Sequence, residues 1–264
     1  MNSSEYYILD VLENNDWNSN VNQVDHLIKK KFVLLVKKEI DNGYNSKEEL
    51  VSSGISFTIF GLLRFDSSGV HKCCGSSSFK WNASIDFNEE KFSISRDRHG
   101  FGGDIRIDRI TGLQGHRVGT YVLHEIINWL KSFNLKDDEE KFEMKPINLT
   151  DFDAQGVNGL RRKKLYEDAG IMLILKEEGS GHSDPNNKLL NLKLNKNWQK
   201  NIRVYEGIYG FKNYMFELYQ QIDELSKKRK ELEKENKELK EKNENLKQEN
   251  RRKNKNMYLC GFFI

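Results

Sequence analysis

Residues 104–133, DIRIDRITGLQGHRVGTYVLHEIINWLKSF, decide the fold. Asp104, Arg106 and Asp108 alternate with Ile105 and Ile107, the period-two pattern of a half-buried strand. A glycine-bearing turn follows, and the period then changes. Val118, Val122, Ile126, Trp129, Leu130 and Phe133 fall on one stripe at helical spacing, so residues 118–133 read as an amphipathic helix. Strand, loop and helix in that order place Gln114, Gly115, His116, Arg117, Val118, Gly119 and Thr120 at a helix start. Unpaired backbone N–H groups and the positive end of the helix dipole make such a start a natural phosphate site, and glycine permits close approach. The competing reading is a tight strand-to-helix turn with no ligand.

Outward from this stretch the chain reads as a mixed α/β domain. Residues 5–12 (EYYILDVL) suit a strand or a short helix. Residues 23–40 read as a helix through Val24, Leu27, Val33, Leu34, Leu35 and Ile40, ended by Asp41-Asn42-Gly43. Residues 55–65 (ISFTIFGLLRF) read as a buried strand, and residues 79–87 and 91–96 as a hairpin about Asn88-Glu89-Glu90. Beyond the central helix, residues 142–149 read as a strand and 160–168 as a helix stopped by Gly170. Residues 171–175 and 189–194 read as closing strands, with 177–188 as a loop excursion.

Composition limits the function classes. The chain has 264 residues and a net charge of +3. Residues 216–256 carry 13 Lys/Arg and 10 Asp/Glu, so that segment accounts for the whole +3 and the preceding part is neutral. A nucleic-acid footprint on the main domain is therefore not expected, because a polyanion needs a concentrated cationic surface. No run of apolar residues is long enough to span a bilayer, and the first residues lack the layout of a secretory signal. Three cysteines (Cys73, Cys74, Cys260) do not make a disulfide framework, so a cytoplasmic, reduced protein is expected. His71, Cys73 and Cys74 lack a second ligand pair, and no metal site is expected.

Two segments carry a family resemblance. The first is Gln114-Gly115-His116-Arg117-Val118-Gly119, and the second is residues 158–171, NGLRRKKLYEDAGI. Together they resemble the GNAT family of acetyl-CoA-dependent N-acetyltransferases, whose acetyl-CoA loop reads (Gln/Arg)-x-x-Gly-x-(Gly/Ala). Gln114 and Gly119 match that loop, and Arg117 stands where the family has its middle Gly. In the second segment Leu165, Tyr166, Glu167 and Gly170 match, Asn158 is displaced by one, and Arg162 replaces a small residue. The resemblance covers residues 104–171 in detail and is only architectural before them. It implies a GNAT-like mixed, mostly antiparallel sheet flanked by helices. It also implies two strands that splay apart, here 104–110 and 142–149, with pantetheine between them.

The resemblance further implies direct attack of a primary amine on the thioester of acetyl-CoA, the acyl donor. Alignment, carbonyl polarisation, a base and an acid come from the protein. Tyr166 is then the candidate acid at the sulfur, with a packed helix tyrosine as the plainer alternative. Asp104 and Asp108 share one strand face and are the candidate bases, although a solvent-facing stripe with Arg106 also explains them. Asp151 and Asp153 are weaker alternatives. Ile110, Gln114, Gly115, His116, Arg117, Val118, Gly119 and Thr120 form the expected cofactor-binding set. Arg117 either crowds a left-handed backbone position or adds a cation to the CoA phosphates. The competing function is a catalytically inactive CoA-binding or scaffold protein.

Two regions are expected, an acyltransferase domain over residues 1–205 and a coiled coil over 216–256. Leu218, Leu225, Leu232, Leu239 and Leu246 recur every seven residues. Taken as d, they put Ile222, Arg229, Asn236, Asn243 and Asn250 at a, which implies a parallel homodimer. A basic-zipper DNA reader would need a dense basic helix before the leucines, and residues 211–220 hold one lysine.

Overall fold

The computed structural model describes residues 2–12, 30–66, 69–72, 78–97, 116–135, 138–149, 156–177 and 179–260. The chain divides into two compact units, Met1–Phe211 and Lys212–Ile264. The first is mixed α/β around a large, mostly antiparallel sheet.

That sheet is built from β1 (Ser3–Leu12), β2 (Lys30–Tyr44), β3 (Leu50–Asp66), β4 (Gly69–Lys72), β5 (Ser78–Asp86), β6 (Lys91–Asp97), β7 (Glu143–Met144) and β11 (Ile202–Glu206). Its order is β11-β1-β2-β3-β5-β6-β7, with β4 paired to β3. Register explains the core. Tyr7 faces Val36, Val36 faces Ile59, Ile55 faces Ala83 and Ala83 faces Ile94, so apolar side chains form continuous rows across the strands. Helix α1 (Val118–Ser132) lays Val118, Val122, Leu123, Ile126, Ile127 and Leu130 into this core and packs on β3 and β5. The stripe read from the sequence lies within the buried surface, which also takes in Tyr121, Leu123, His124 and Ile127.

Strand β2 corrects the helix expected over residues 23–40, of which 23–29 lie outside the described residues. Phe32, Val33, Leu34 and Val36 are all buried, because both sides of the strand are covered there. Full burial removes the polar gaps that distinguish a strand from a helix segment. Asp41-Asn42-Gly43 does not end a helix either. These residues continue the ladder opposite β3, whose register shifts at Gly43/Tyr44. The turn is made later, where Asn45 Oδ1 accepts the N–H groups of Lys47 (2.9 Å) and Glu49 (3.0 Å). The strand alternative for residues 5–12 is the one the fold adopts, and β3 and the β5–β6 hairpin stand where the sequence puts them.

The single strand expected over 142–149 is two short ones. β7 pairs parallel with β6 at Lys91↔Glu143 and Phe92↔Met144 only. Pro146 then interrupts, since proline has no N–H for a ladder. β8 (Asn148–Leu149) joins a second sheet of order β8-β10-β9, with β9 at Leu173–Leu175 and β10 at Gly181–Ser183. Strand β10 lies inside the stretch read as a loop excursion. The closing strand expected over 189–194 is a 3-10 turn, Leu189–Asn191, followed by extended chain. Leu189 and Leu192 are buried while Leu190 and Leu194 are exposed, so the operative spacing is three and not two. Helix α2 (Gly156–Asp168) covers the expected residues 160–168. Helix α3 (Gly207–Cys260) runs for 54 residues and makes up the described part of the second unit. Among the described residues no helix is long and apolar enough to cross a membrane.

Candidate functional site

The start of α1 departs from ordinary capping. An N-cap residue is usually Ser, Thr, Asp or Asn in an extended conformation, with its side chain closing on a backbone N–H. Here it is Arg117, left-handed at φ 62° and ψ 11°, and its side chain makes no capping bond. No acidic residue occupies the first turn, so the helix itself carries no charge there to offset its dipole. Arg117 is instead held from its far end. Its Nη1 donates to the Asn197 carbonyl (3.0 Å) and to Asn201 Oδ1 (3.4 Å). Asn201, almost wholly buried, donates through Nδ2 to the carbonyls of His116 (2.9 Å) and Leu12 (3.4 Å). Its own carbonyl accepts from the N–H of Leu12 (2.7 Å). One asparagine thus ties the end of β1, the start of β11 and the turn into α1.

Of the two expectations for Arg117, one concerns its backbone and the other its guanidinium. The residue does occupy a positive-φ position, and its guanidinium reaches Asn197 and Asn201 on its own chain. Asn197 and Asn201 were not legible as site residues, because an asparagine 80 or more positions away has no local signature. The ring of His116 packs edge-on against Phe32 at 5.7 Å.

Gly119 and Thr120 lie on the side of α1 that meets α2. A Cβ at Gly119 would sit 3.4 Å from Leu165 Cδ2, so the helices approach closely there. Thr120, His124, Leu165, Ala169, Lys193 and Asn195 line a narrow crevice between the two helices and the 193–195 segment. His124 is one turn beyond Thr120, a placement the helical spacing alone could have indicated. Burial, and then the charge of Lys196, lower its pKa and favour the neutral ring. Its Nδ1 is buried without a hydrogen-bond partner.

Tyr166 is 6% exposed and belongs to the hydrophobic core next to Leu165 and Ala169. Its residue carbonyl accepts the N–H of Ile171 (2.9 Å), part of the stop that ends α2. Asp104, Asp108, Ile110, Gln114 and Gly115 lie outside the described residues, as do Cys73, Cys74, Asp151 and Asp153. Among the described residues no group of three or more His, Cys, Asp or Glu is placed to hold a metal.

A polar cluster sits under the opposite side of α1. The rings of Tyr7 and Tyr121 meet edge-on at 6.3 Å, and burial drives both phenols well above their ordinary range. Burial likewise raises the pKa of the Glu125 carboxyl; Lys38 opposes the shift and Glu206 adds to it. For an acid whose folded pKa is raised, the unfolded chain loses its proton first. Stability is therefore full below the ordinary glutamate range, about 4.3, and falls as pH rises towards the folded value. Glu125→Gln removes that loss. Urea titrations are expected to show the variant more stable than the parent at pH 7 and the two equal near pH 4; a variant less stable at both values contradicts the assignment.

Comparison of the chain with protein-family models, with curated proteins and with solved structures finds no match.

Proposed function

We propose that the Met1–Phe211 unit transfers an acyl group, acetyl in the simplest case, from acyl-CoA to a primary amine. The strand expected over 104–110, one arm of the implied splay, lies outside the described residues, and the observation that carries the reading is the β6–α1–β7 crossover. Its parallel strands pair over two residues and then part, β6 continuing in the large sheet while the chain beyond β7 enters another. Ligands of open α/β sheets settle where neighbouring strands diverge at their carboxyl ends. An extended chain bearing amides, such as pantetheine, suits a strand edge of this kind. The start of α1 supports the same reading. With no side-chain cap and no acid in its first turn, the N–H groups of Val118, Gly119 and Thr120 favour a diphosphate.

In the reaction the amine nitrogen bonds to the thioester carbonyl carbon as the carbon–sulfur bond breaks. Asp108 or Asp104 takes the ammonium proton before attack; the phenol of Tyr166 gives a proton to the departing thiolate and is restored by the second proton that the nitrogen loses as the amide forms. These roles rest on the motif resemblance together with the packing of α2 against α1 at Gly119 and Leu165. A second reading, a silent CoA-binding protein, draws on Arg117, because the left-handed turn carries an arginine where the family has glycine and its guanidinium is bonded to Asn197 and Asn201.

Calorimetry with acetyl-CoA, followed by thiol release with a panel of primary amines, separates the readings. The parent is expected to bind and to release CoA. Tyr166→Phe keeps the packed ring and is expected to lower kcat by roughly 100-fold or more with unchanged donor affinity. Binding without release by the parent favours the silent reading, and absence of binding removes both.

A further inference from the structure

Helix α3 carries a leucine seam that, among the described residues, is half-covered at Met215 and Leu218 and open to solvent from Ile222 onward. Within the second unit, Leu218, Leu225, Leu232, Leu239 and Leu246 are separated by seven residues each, and Leu225 is 67% exposed, Leu239 57% and Leu246 50%. The a positions of the same register are Met215, Ile222, Arg229, Asn236, Asn243 and Asn250. Carried backwards, the same spacing meets Phe211 and Ile208. The helix needs no partner to be continuous. It has no proline, and ion pairs such as Lys227–Asp223 (2.8 Å) and Lys247–Glu244 (3.0 Å) support it along its length. Its leucines are another matter, since a stripe at a period of 3.5 is the signature of a facing helix.

We propose that α3 pairs in parallel and in register with α3 of a second copy of this chain. The pairing draws its affinity from the exposed Ile222 and Leu225 layers, continued from the half-buried Met215 and Leu218, and its choice of partner from the asparagine layers. An asparagine at a finds its best partner in the same asparagine of an identical, parallel helix, which specifies both the occupant and the register. Flanking charges agree over the middle heptads. Lys228 at g meets Glu233 of the partner, and Glu235 meets Lys240; only Lys242 with Lys247 repels. Arg229 would place a cation in the seam, but its Nε donates to Glu233 Oε1 of its own chain at 2.8 Å, which turns the charge towards the rim. The stem of Arg229 is left to pack in the layer. Affinity therefore concentrates at the first two heptads, while the polar distal layers exclude other partners. This inference is independent of the acyl-transfer reading.

Sedimentation equilibrium on the full chain is expected to give a dimer at micromolar concentration. Leu225→Glu buries a carboxylate in the seam and is expected to weaken the dimer roughly 100-fold, whereas Arg229→Ile tightens it about tenfold. Tryptophan fluorescence checks that the first unit stays folded in each variant, since all four tryptophans precede residue 211. In a Cys73→Ser, Cys74→Ser, Cys260→Ser background, Asn236→Cys is expected to cross-link under oxidised glutathione, as parallel registry requires. A monomer throughout the range, a trimer or larger, a dimer unmoved by Leu225→Glu, or a folded dimer that fails to cross-link would each overturn the proposal.

Discussion

Replacing Gly170 with valine is expected to lower the unfolding free energy of the Met1–Phe211 unit by about 4 kcal/mol. Gly170 ends α2 at φ 79°. Its N–H reaches the Glu167 carbonyl (2.9 Å), and the N–H of Ile171 reaches the Tyr166 carbonyl (2.9 Å), the two bonds of a Schellman stop. Ile171 and Tyr166, the hydrophobic pair that accompanies such a stop, are both buried. The glycine is required twice over. A left-handed residue with a Cβ costs about 1–2 kcal/mol on backbone grounds alone. Here the Cβ would also run into the Asn191 carbonyl oxygen, beside the strand-like bond from the Lys193 N–H to the Ala169 carbonyl (2.9 Å). Backbone cannot swing aside as a side chain does. Gly207 separates the two contributions, since it has φ 63° but nothing within 4 Å of a built Cβ. Gly207→Ala should therefore cost only the backbone part, about 1–2 kcal/mol. Urea titration followed by tryptophan fluorescence measures both, and equal losses at the two positions contradict the clash.

Gly119→Trp is expected to abolish acetyl-CoA binding, a loss of at least about 100-fold, while Gly119→Ala leaves it within a few-fold. The contrast follows from the 3.4 Å between a built Cβ and Leu165 Cδ2, an ordinary van der Waals contact that a methyl group fits. Alanine also forms helix more readily than glycine. An indole has no such space. It must push Leu165 away or turn across the start of α1, and in either case it disturbs the surface on which the N–H groups of Val118 and Thr120 would meet a diphosphate. Binding by calorimetry and stability by urea titration are to be read together. A tryptophan variant that is folded and binds as the parent does removes the start of α1 from the site.

How much of this was legible depended on burial. Strand β3 announces itself through β-branched and aromatic residues, the β5–β6 hairpin through alternation, α1 through apolar residues at helical spacing and the α2 stop through Gly170 just past the helical pattern. Residues 30–40 do not, since Phe32, Val33, Leu34 and Val36 are all covered. A run without polar gaps fits either period, and the following Asp-Asn-Gly favoured the wrong one. Leu189 to Leu194 misled in the opposite way, where a clear alternation gave way to a three-residue turn. Pro146 was the readable sign that residues 142–149 could not be one strand. At the candidate site, the left-handed Arg117 was visible as an anomaly in the motif, but its partners Asn197 and Asn201 were not. Their role exists only because β11 returns beside β1 and brings the end of the unit to the helix start.

Backbone amide resonances of Val118, Gly119 and Thr120, followed while CoA is titrated into the full chain, test the central claim most directly. If the start of α1 holds a diphosphate, these three signals move together and saturate at micromolar CoA, ahead of any others on α1. Signals that stay in place at millimolar CoA, or that move only after amides elsewhere have saturated, contradict it.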